Sequence, residues 1–599
     1  MKYLLIATVL LSACSSCSTQ VKPALTVAPT PTIEPTAPPA VWHVNANGFR
    51  LTLDLARLDD VTWDGNQLEF RRALQGVTQW YKVTVEDGVM VGRFSHSTEP
   101  AKPDLSAYKY HVTGWDRDAF PITPVVFDIN ANGYQGRLGI DKAGGVFTGR
   151  LKFYATNGAL NESLEEEVLV THWDGAAINF IRPFANQTYT GQANGAEISG
   201  TFTYAGAPYS WSGRRAEMLT YGMAPKTAEQ RQAWQERTRR TLHRLMMAGN
   251  PAPLSVTVEI LGDNIPPIAG NLYPLRDDDP GSHPQNYTLT ELKLTYTLPN
   301  WLGGAPITRT VHAYLAKPTT PPPGGLEKYP LLLSVNGHGG SAYQTMDGGT
   351  LFYYGDAFAR RGYMVLAVDI SHRPISDRFG YTEWVENGDD PEHGNGSHPS
   401  IKPIPDKYYT DWEEDGERVW DVMRGLDYAL SRSDVDHGKI AVTGLSMGGE
   451  VASYVGALDP RIAVTIPAGY SPDMNVVKYH GNHGCWTWAW ADVREYIDQS
   501  DILSLIAPRG LIVQTGKEDR VFSNIGFAGD KQVMRRARVA GGPVVHFLHP
   551  LIHEWRAGQV RQPTMIEPSS PGDLPWQTNG ETTSDGQTLF DHVRQFLNF

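Results

Sequence analysis

The tightest constraint on this 599-residue chain is a short apolar run, residues 440–443, that passes directly into Gly444-Leu-Ser-Met-Gly-Gly449 and then into the helical pattern of 449–458. As a bare string Gly-x-Ser-x-Gly is common. Between a buried strand and a helix it specifies a sharp turn that needs its glycines and leaves the serine oxygen exposed above a sheet edge. Ser446 is therefore the expected nucleophile. The flanking segments alternate in kind: strand-like 331–335, helix-like 355–361, strand-like 364–369 and helix-like 412–432, then strands 511–515 and 544–548 before a final helix at 589–597. Such alternation predicts a mostly parallel sheet flanked by helices. Strand-like stretches at 254–261, 290–296 and 310–315 precede it.

A serine hydroxyl is a poor nucleophile at neutral pH and needs an imidazole base that is itself oriented by a carboxylate. On a sheet of this kind the three follow one another as serine, acid, histidine. Downstream of Ser446, strand 511–515 ends in GKEDRVF, which puts Glu518 and Asp519 in the next loop, and spacing does not choose between them. Strand 544–548 continues into HPLIHEW. There His546 alternates within the strand, His549 sits at its end, and His553 occupies the last loop before the C-terminal helix, the expected place for the base. A developing oxyanion needs two backbone donors. Met447, after the nucleophile, supplies one, and the loop NGHGG at 336–340 offers the N–H of His338 or Gly339 as the other. No lysine follows those glycines in the phosphate-loop position.

Residues 41–221 have a different grammar. Apolar residues recur with period two, and Gly, Asn-Gly or Asp-Gly punctuates about every ten residues, which predicts antiparallel strands joined by tight turns. Expected strands include 50–55, 67–72, 80–85, 89–94, 146–154, 178–181 and 197–204. Three elements recur in order: NANGF at 45–49 and NANGY at 130–134, WDGNQLEF at 63–70 and WDGAAINF at 173–180, and a Gly-x-Phe ending at Phe94 and at Phe202. An internal duplication is expected on that ground, against the alternative that hairpins independently select the same turn residues. Whether the halves close one barrel or form two sandwiches is open. An amphipathic helix at 226–247, with Trp234, Leu242, Leu245 and Met246 at helical spacing, marks the border with the C-terminal part of the chain.

Met1-Lys2 and the apolar run 4–11 have the form of a signal peptide, and Leu11-Ser-Ala-Cys14 resembles a bacterial lipoprotein cleavage box, which makes Cys14 the expected lipidation site. The Ser-, Thr-, Pro- and Ala-rich stretch after it cannot bury a core and reads as a tether. Three cysteines are too few for a disulfide framework; Cys14 and Cys17 lie in leader and tether, which leaves Cys485 as a free thiol. With 52 basic against 65 acidic residues and no basic stripe, nucleic acid is not an expected partner. No later apolar run reaches the roughly 18 residues of a membrane span.

As a set, GHGG, a Gly-Tyr before a Val-Asp strand, DxxRGLDYALSR, GLSMGG, ALDPRI, the LIAPRGLIVQTGKED block and HEW resemble the dienelactone hydrolase and acetyl xylan esterase-like branch of the α/β hydrolases, over about residues 254–555. The resemblance implies a triad of Ser446, Asp519 and His553, and no metal or organic cofactor. The chain departs from the family pattern at Gly510, where proline is usual, and in PLIHEW, which replaces a Gly-Gly-His approach. Two insertions, 371–411 and 470–499, fall where this fold carries lids; His480 and His483 mimic a metal pair, but no acid or cysteine cluster completes a ligand set. The expected organisation is a signal peptide at 1–13, a lipidated tether at 14–40, a duplicated all-β antiparallel domain at 41–221 and an α/β-hydrolase domain at 222–599. The expected function is that of an exported serine esterase on a small-molecule or carbohydrate ester, bound to the bacterial cell envelope through its lipid alone. A prolyl oligopeptidase-like peptidase is the first alternative, and 41–221 is short for the propeller such enzymes carry. A surface glycan-binding protein on a hydrolase scaffold is the second, and the intact set of triad residues opposes it.

Overall fold

The computed structural model describes residues 41–116, 125–153, 165–215, 228–267, 283–299, 305–370, 414–471, 499–517, 519, 542–566 and 577–599, less short breaks at 47–48, 75, 87–88, 144–145, 174–175, 183–184, 195–196, 248 and 338–339. The expected leader, Cys14 and the tether lie outside them, as do 371–413 and 472–498, which hold nearly all of both insertions.

Strands β1 to β7 (Val41–Ala46, Phe49–Asp54, Asp59–Trp63, Gln67–Leu74, Val77–Glu86, Val89–Phe94, Tyr110–Asp116) form one antiparallel sheet in the order β2-β1-β7-β6-β5-β4-β3. Strands β8 to β15 (Val125–Ala131, Tyr134–Ala143, Val146–Phe153, Glu165–Trp173, Ala177–Arg182, Gln187–Asn194, Glu197–Tyr204, Ala207–Arg215) close into a barrel, β10-β11-β12-β13-β14-β15-β8-β9. The question left open by the sequence thus resolves into one open sheet and one barrel. The two orders match if β2-β1-β7-β6-β5-β4-β3 is laid on β9-β8-β15-β14-β13-β12-β11. The barrel then differs by one strand, β10, which pairs with both β9 and β11 and closes the ring.

Each sheet is organised around an aromatic ladder made by direct cross-strand pairs, the unit of sheet stabilisation. Phe70 stacks on Tyr81 at 4.5 Å and Tyr81 on Phe94 at 5.0 Å. In the barrel Phe180 stacks on Tyr189 at 4.5 Å and Tyr189 on Phe202 at 4.7 Å. A buried glutamine finishes each ladder: Gln79 Oε1 accepts from the Tyr81 hydroxyl at 2.9 Å and from Arg72 at 3.4 Å, and Gln187 Oε1 from the Tyr189 hydroxyl at 3.1 Å and Arg182 at 2.9 Å.

The C-terminal part is a nine-stranded sheet in the order β16-β17-β18-β20-β19-β21-β22-β23-β24 (Ser255–Ile265, Tyr287–Leu298, Ile307–Pro318, Met364–Val368, Tyr329–Val335, Val435–Leu445, Val464–Ala468, Gly510–Gly516, Val544–His549, in sheet order). From β20 to β24 all neighbours are parallel, and β16 to β18 add an antiparallel edge. The helices among the described residues are α1 (Ala228–Met247), α2 (Ala342–Thr345), α3 (Tyr354–Ala359), α4 (Glu414–Leu430), α5 (Met447–Leu458), α6 (Gln499–Ile506) and α7 (Leu589–Leu597). A strand buried on both faces sends alternate side chains into separate cores. In β19, Leu331, Leu333 and Val335 join the core under α1, α4, α5 and α6, while Leu332 joins the one under α2, α3 and α7. The sheet order, the elbow at its centre and both helical layers make this the expected α/β-hydrolase fold. The sequence reading did not single out β22, whose Pro467 lacks an amide proton and argues against a central strand, nor a short hairpin of β25 (Gln562–Ile566) and β26 (Gln577–Thr583).

Helix α1 fastens the first sheet to the hydrolase. Its Arg244 donates to the carbonyls of Glu86 at 2.6 Å and Thr84 at 3.0 Å, and Val91 of β6 is buried in the same core cluster as Leu242 and Leu245. On its other side Arg239 and Gln235 donate to carbonyls at the ends of α5 and α6, among them Ala457 at 2.8 Å and Ala507 at 2.8 Å. Arg244 also pairs with the Glu86 carboxylate at 3.3 Å, but that side chain is 56% exposed and adds little. Arg244→Ala is therefore expected to cost about 1–3 kcal/mol, chiefly through the two carbonyls. A lowered Tm and faster amide exchange through 84–91 would register it; unchanged exchange there would show that α1 does not hold the sheet.

Candidate active site

β21 ends at Leu445, α5 begins at Met447, and Ser446 between them has φ 61° and ψ −124°. A non-glycine residue held there stores of order 1–3 kcal/mol of strain and persists only if its surroundings insist on it. Here the Ser446 N–H donates to the Ala468 carbonyl at the end of β22, 2.9 Å, and the Ser446 carbonyl accepts the Glu450 N–H at 3.0 Å, which opens α5. The elbow is pressed onto β19: a Cβ on Gly448 would stand 2.4 Å from the Val335 carbonyl oxygen and 2.7 Å from that of Asn336.

Met447 is the first residue of α5, where backbone N–H groups have no partner within the helix and the dipole favours negative charge. His338 and Gly339, the expected sources of the second donor, lie outside the described residues. The buried Asn336 fixes their loop at its base: Nδ2 donates to the Gly340 carbonyl at 3.0 Å, and Oδ1 accepts the Ile370 N–H at 3.1 Å.

Asp519 is buried in the turn after β23, its N–H bonded to the Gly516 carbonyl at 3.2 Å, and its Oδ2 lies 2.7 Å from Nδ1 of His553. Glu518 lies outside the described residues. His546 is buried in the sheet, with Nε2 3.1 Å from Thr515 Oγ1. His549 is buried as well, and burial pushes its imidazole down to about 4. The ring of His553 rests on Gly469, which has φ +59° and where a Cβ would meet Cε1 at 2.8 Å and Nδ1 at 2.9 Å. Ala468 and Gly469 thus serve two partners in succession: the first holds Ser446 by its carbonyl, and the second leaves room for the imidazole.

Two residues to which the sequence expectations gave no role hold the histidine loop. The side-chain amide of Gln514, buried in β23, pairs with the backbone of Arg556, Nε2 to O at 3.1 Å and N to Oε1 at 2.9 Å. The buried Trp555 donates from Nε1 to Thr443 Oγ1 at 3.2 Å. An amide inside the apolar strand LIVQT and a tryptophan closely following His553 were the available signals. Among the described residues no three His, Cys, Asp or Glu side chains gather as a metal site, and no helix is long and apolar enough to cross a membrane. His480 and His483 lie outside those residues.

An unfolded histidine titrates near 6.5, so between about pH 6.5 and 4 the unfolded chain takes up a proton that folded His549 refuses. The stability contributed by the neutral ring is complete above that window and is lost as pH falls through it. His243, half-buried on α1 and likewise pushed down to about 4 by desolvation, acts with the same sign. Each contribution is at most about 3 kcal/mol. Thermal melts between pH 7 and pH 4 should show a steep fall for the wild type and a shallower one for His549→Gln; parallel curves would refute this origin.

Residues 343–480 match the dienelactone hydrolase family. The chain is 30% identical over 171 residues to YtaP of Bacillus subtilis (strain 168), described as a hydrolase, in a match covering 28% of this chain and 50% of that protein. It is 35% identical over 177 residues to 4-O-methyl-glucuronoyl methylesterase 1 of Wolfiporia cocos (strain MD-104), covering 25% and 43%. The chain thus spans half or less of the length of these relatives. Among solved structures, a glucuronoyl esterase from Solibacter usitatus aligns with a TM-score of 0.36 at 15% identity, over 56% of this chain and 94% of the other. From α2 through the serine elbow and past β22, residues 343–480 carry the dienelactone hydrolase family match within a sheet of the α/β-hydrolase fold.

Proposed function

We propose that this chain is an exported serine esterase that cleaves a carboxylic ester through an acyl-enzyme, with Ser446 as nucleophile, His553 as general base and then general acid, and Asp519 as the carboxylate that orients His553. The observation that carries the reading is the 2.7 Å contact between Asp519 and His553 on the same two-residue platform, Ala468-Gly469, that holds Ser446. With Nδ1 engaged by Asp519, Nε2 takes the proton of the Ser446 hydroxyl as its oxygen attacks the ester carbonyl. The N–H of Met447 and one from His338 or Gly339 bind the oxyanion. His553 then protonates the departing alcohol, water enters by the same route, and the acid leaves with Ser446 restored.

A carbohydrate ester is the substrate class this reading favours. The relative named 4-O-methyl-glucuronoyl methylesterase supports it, with a sugar acid on the acyl side, and so does the motif resemblance to acetyl xylan esterases, with a sugar on the alcohol side. The leader at 1–13 and Cys14 support export and lipid anchoring to the cell envelope. The β region at 41–221 is read as a duplicated module that does no chemistry of its own. Its matched strand orders and repeated Phe-Tyr-Phe ladders with their Arg-Gln partners support duplication, the second hairpin being two residues tighter, with Arg182 and Gln187 five apart against seven for Arg72 and Gln79.

Ser446→Ala and His553→Ala should each reduce kcat by at least about 10⁴-fold without unfolding, Asp519→Asn should be nearly as severe, and His549→Ala should lose far less. A fluorophosphonate probe should label the wild type but not Ser446→Ala; labelling of that variant, or an active His553→Ala beside a dead His549→Ala, would overturn the assignment.

Gly469→Ala tests the platform. The added methyl displaces the imidazole, so turnover of a small acetyl ester should drop at least about tenfold with little change in KM. Assays of p-nitrophenyl acetate, acetylated xylan, a methyl glucuronate ester and a proline amide on the purified wild type would identify the substrate, and cleavage of the amide alone would replace the esterase reading with a peptidase.

A further inference from the structure

Strand β16 is the outer edge of the nine-stranded sheet, and every residue from 254 to 260 is exposed. Leu254, Val256, Val258 and Ile260 are 63, 48, 41 and 60% exposed. They lie on one face, since Val256, Val258 and Ile260 pair with Tyr296, Leu294 and Leu292, all of them buried in the core under α1 and α4. Soluble proteins blunt a long apolar edge with lysine, proline or a bulge, because its open N–H and C=O groups recruit another strand. Here those devices stand only at the two ends. Pro251 and Pro253 precede the stretch, the Pro251 carbonyl being held by Trp420 Nε1 at 3.1 Å, and the register with β17 shifts between Ile260 and Gly262. Between them the one charge is Glu259, paired with Lys293 of its own chain at 3.0 Å.

The exposed stretch, Leu254-Ser-Val-Thr-Val-Glu-Ile260, has nearly the same chemistry read in either direction. We infer that the chain dimerises by antiparallel pairing of β16 with β16 of a second copy, about a two-fold axis at Thr257. That register sets Leu254 against Ile260, Val256 against Val258, Ser255 against Glu259 and Thr257 against itself, so that four apolar pairs form on one face and no like charges oppose on the other. Moving the axis by one residue, to Val258, keeps Val256 against Ile260 and Val258 against itself but sets Leu254 against Gly262 and Leu261 against Ser255, so the apolar pairing is poorer than about Thr257. This self-complementarity favours a second copy over an unrelated strand.

Sedimentation velocity on the full chain across the micromolar range should show a monomer–dimer equilibrium. Val258→Lys should raise its dissociation constant at least about tenfold while ester hydrolysis and circular dichroism stay unchanged. Thr257→Cys reads the register directly. A short bismaleimide should join it to its own copy well above the background of the wild-type cysteines, whereas Ser255→Cys, whose two copies would lie about 14 Å apart along the strands, should not be joined. A chain that is monomeric throughout, a dimer indifferent to Val258→Lys, or equal cross-linking of the two cysteine variants would overturn the proposal.

Discussion

The hydrogen bond from the Ser446 N–H to the Ala468 carbonyl is the contact on which the rest of the site depends. It ties the last residues of β21 to the last residue of β22 and holds Ser446 at a φ that an ordinary side chain avoids. Once it is made, Gly469 comes next, where a bare backbone receives the His553 ring, and the histidine loop need only reach over β23 to lie there. Gln514 and Trp555 secure that reach from below, one through β23 and the other through β21. The strain at the elbow is thus supported by two neighbouring strands and not by the loop it serves.

A second requirement is that the antiparallel edge stay in register with the parallel strands. Fully buried Arg309 of β18 meets Asp421 of α4 through two bonds, 2.6 and 2.7 Å, and Glu417 through a third at 2.9 Å. Burying these charges carries a large desolvation penalty that only such geometry offsets, so the cluster is better understood as fixing where α4 sits than as adding net stability. Placing α4 also places Arg418, whose Nε donates to the Ile370 carbonyl at 3.2 Å, on the segment that Asn336 bonds from the opposite side.

How much could be read in advance tracks the range of each interaction. The elbow is local: a strand, two glycines and a helix within about twenty residues contain their own geometry, and Ser446 was legible for that reason. The order of acid and base along the chain led to Asp519 and His553, which the structure brings within hydrogen-bonding distance of each other. Gln514 was not legible, because its partner Arg556 is 42 residues away and the contact exists only once β24 has paired. β22 was hidden by Pro467, a residue whose local preference is overruled by the sheet around it. In the β region, alternation announces strands but says nothing about which edge meets which. The single strand β10 decides between an open sheet and a ring, and nothing in its own residues says so.

The contacts that hold the proposed catalytic constellation end largely on the main chain: the carbonyl of Ala468, the N–H and carbonyl of Arg556, the carbonyl of Gly340 and the N–H of Ile370. A main-chain atom is offered by whichever amino acid occupies the position, provided the backbone path is kept. The bonding at positions 468, 556 and 370 therefore does not itself fix which residue stands there, and the geometry can be inherited through any change that the packing around these buried positions admits. Descendants of one ancestor could keep this arrangement almost atom for atom after the bulk of their shared spelling had gone.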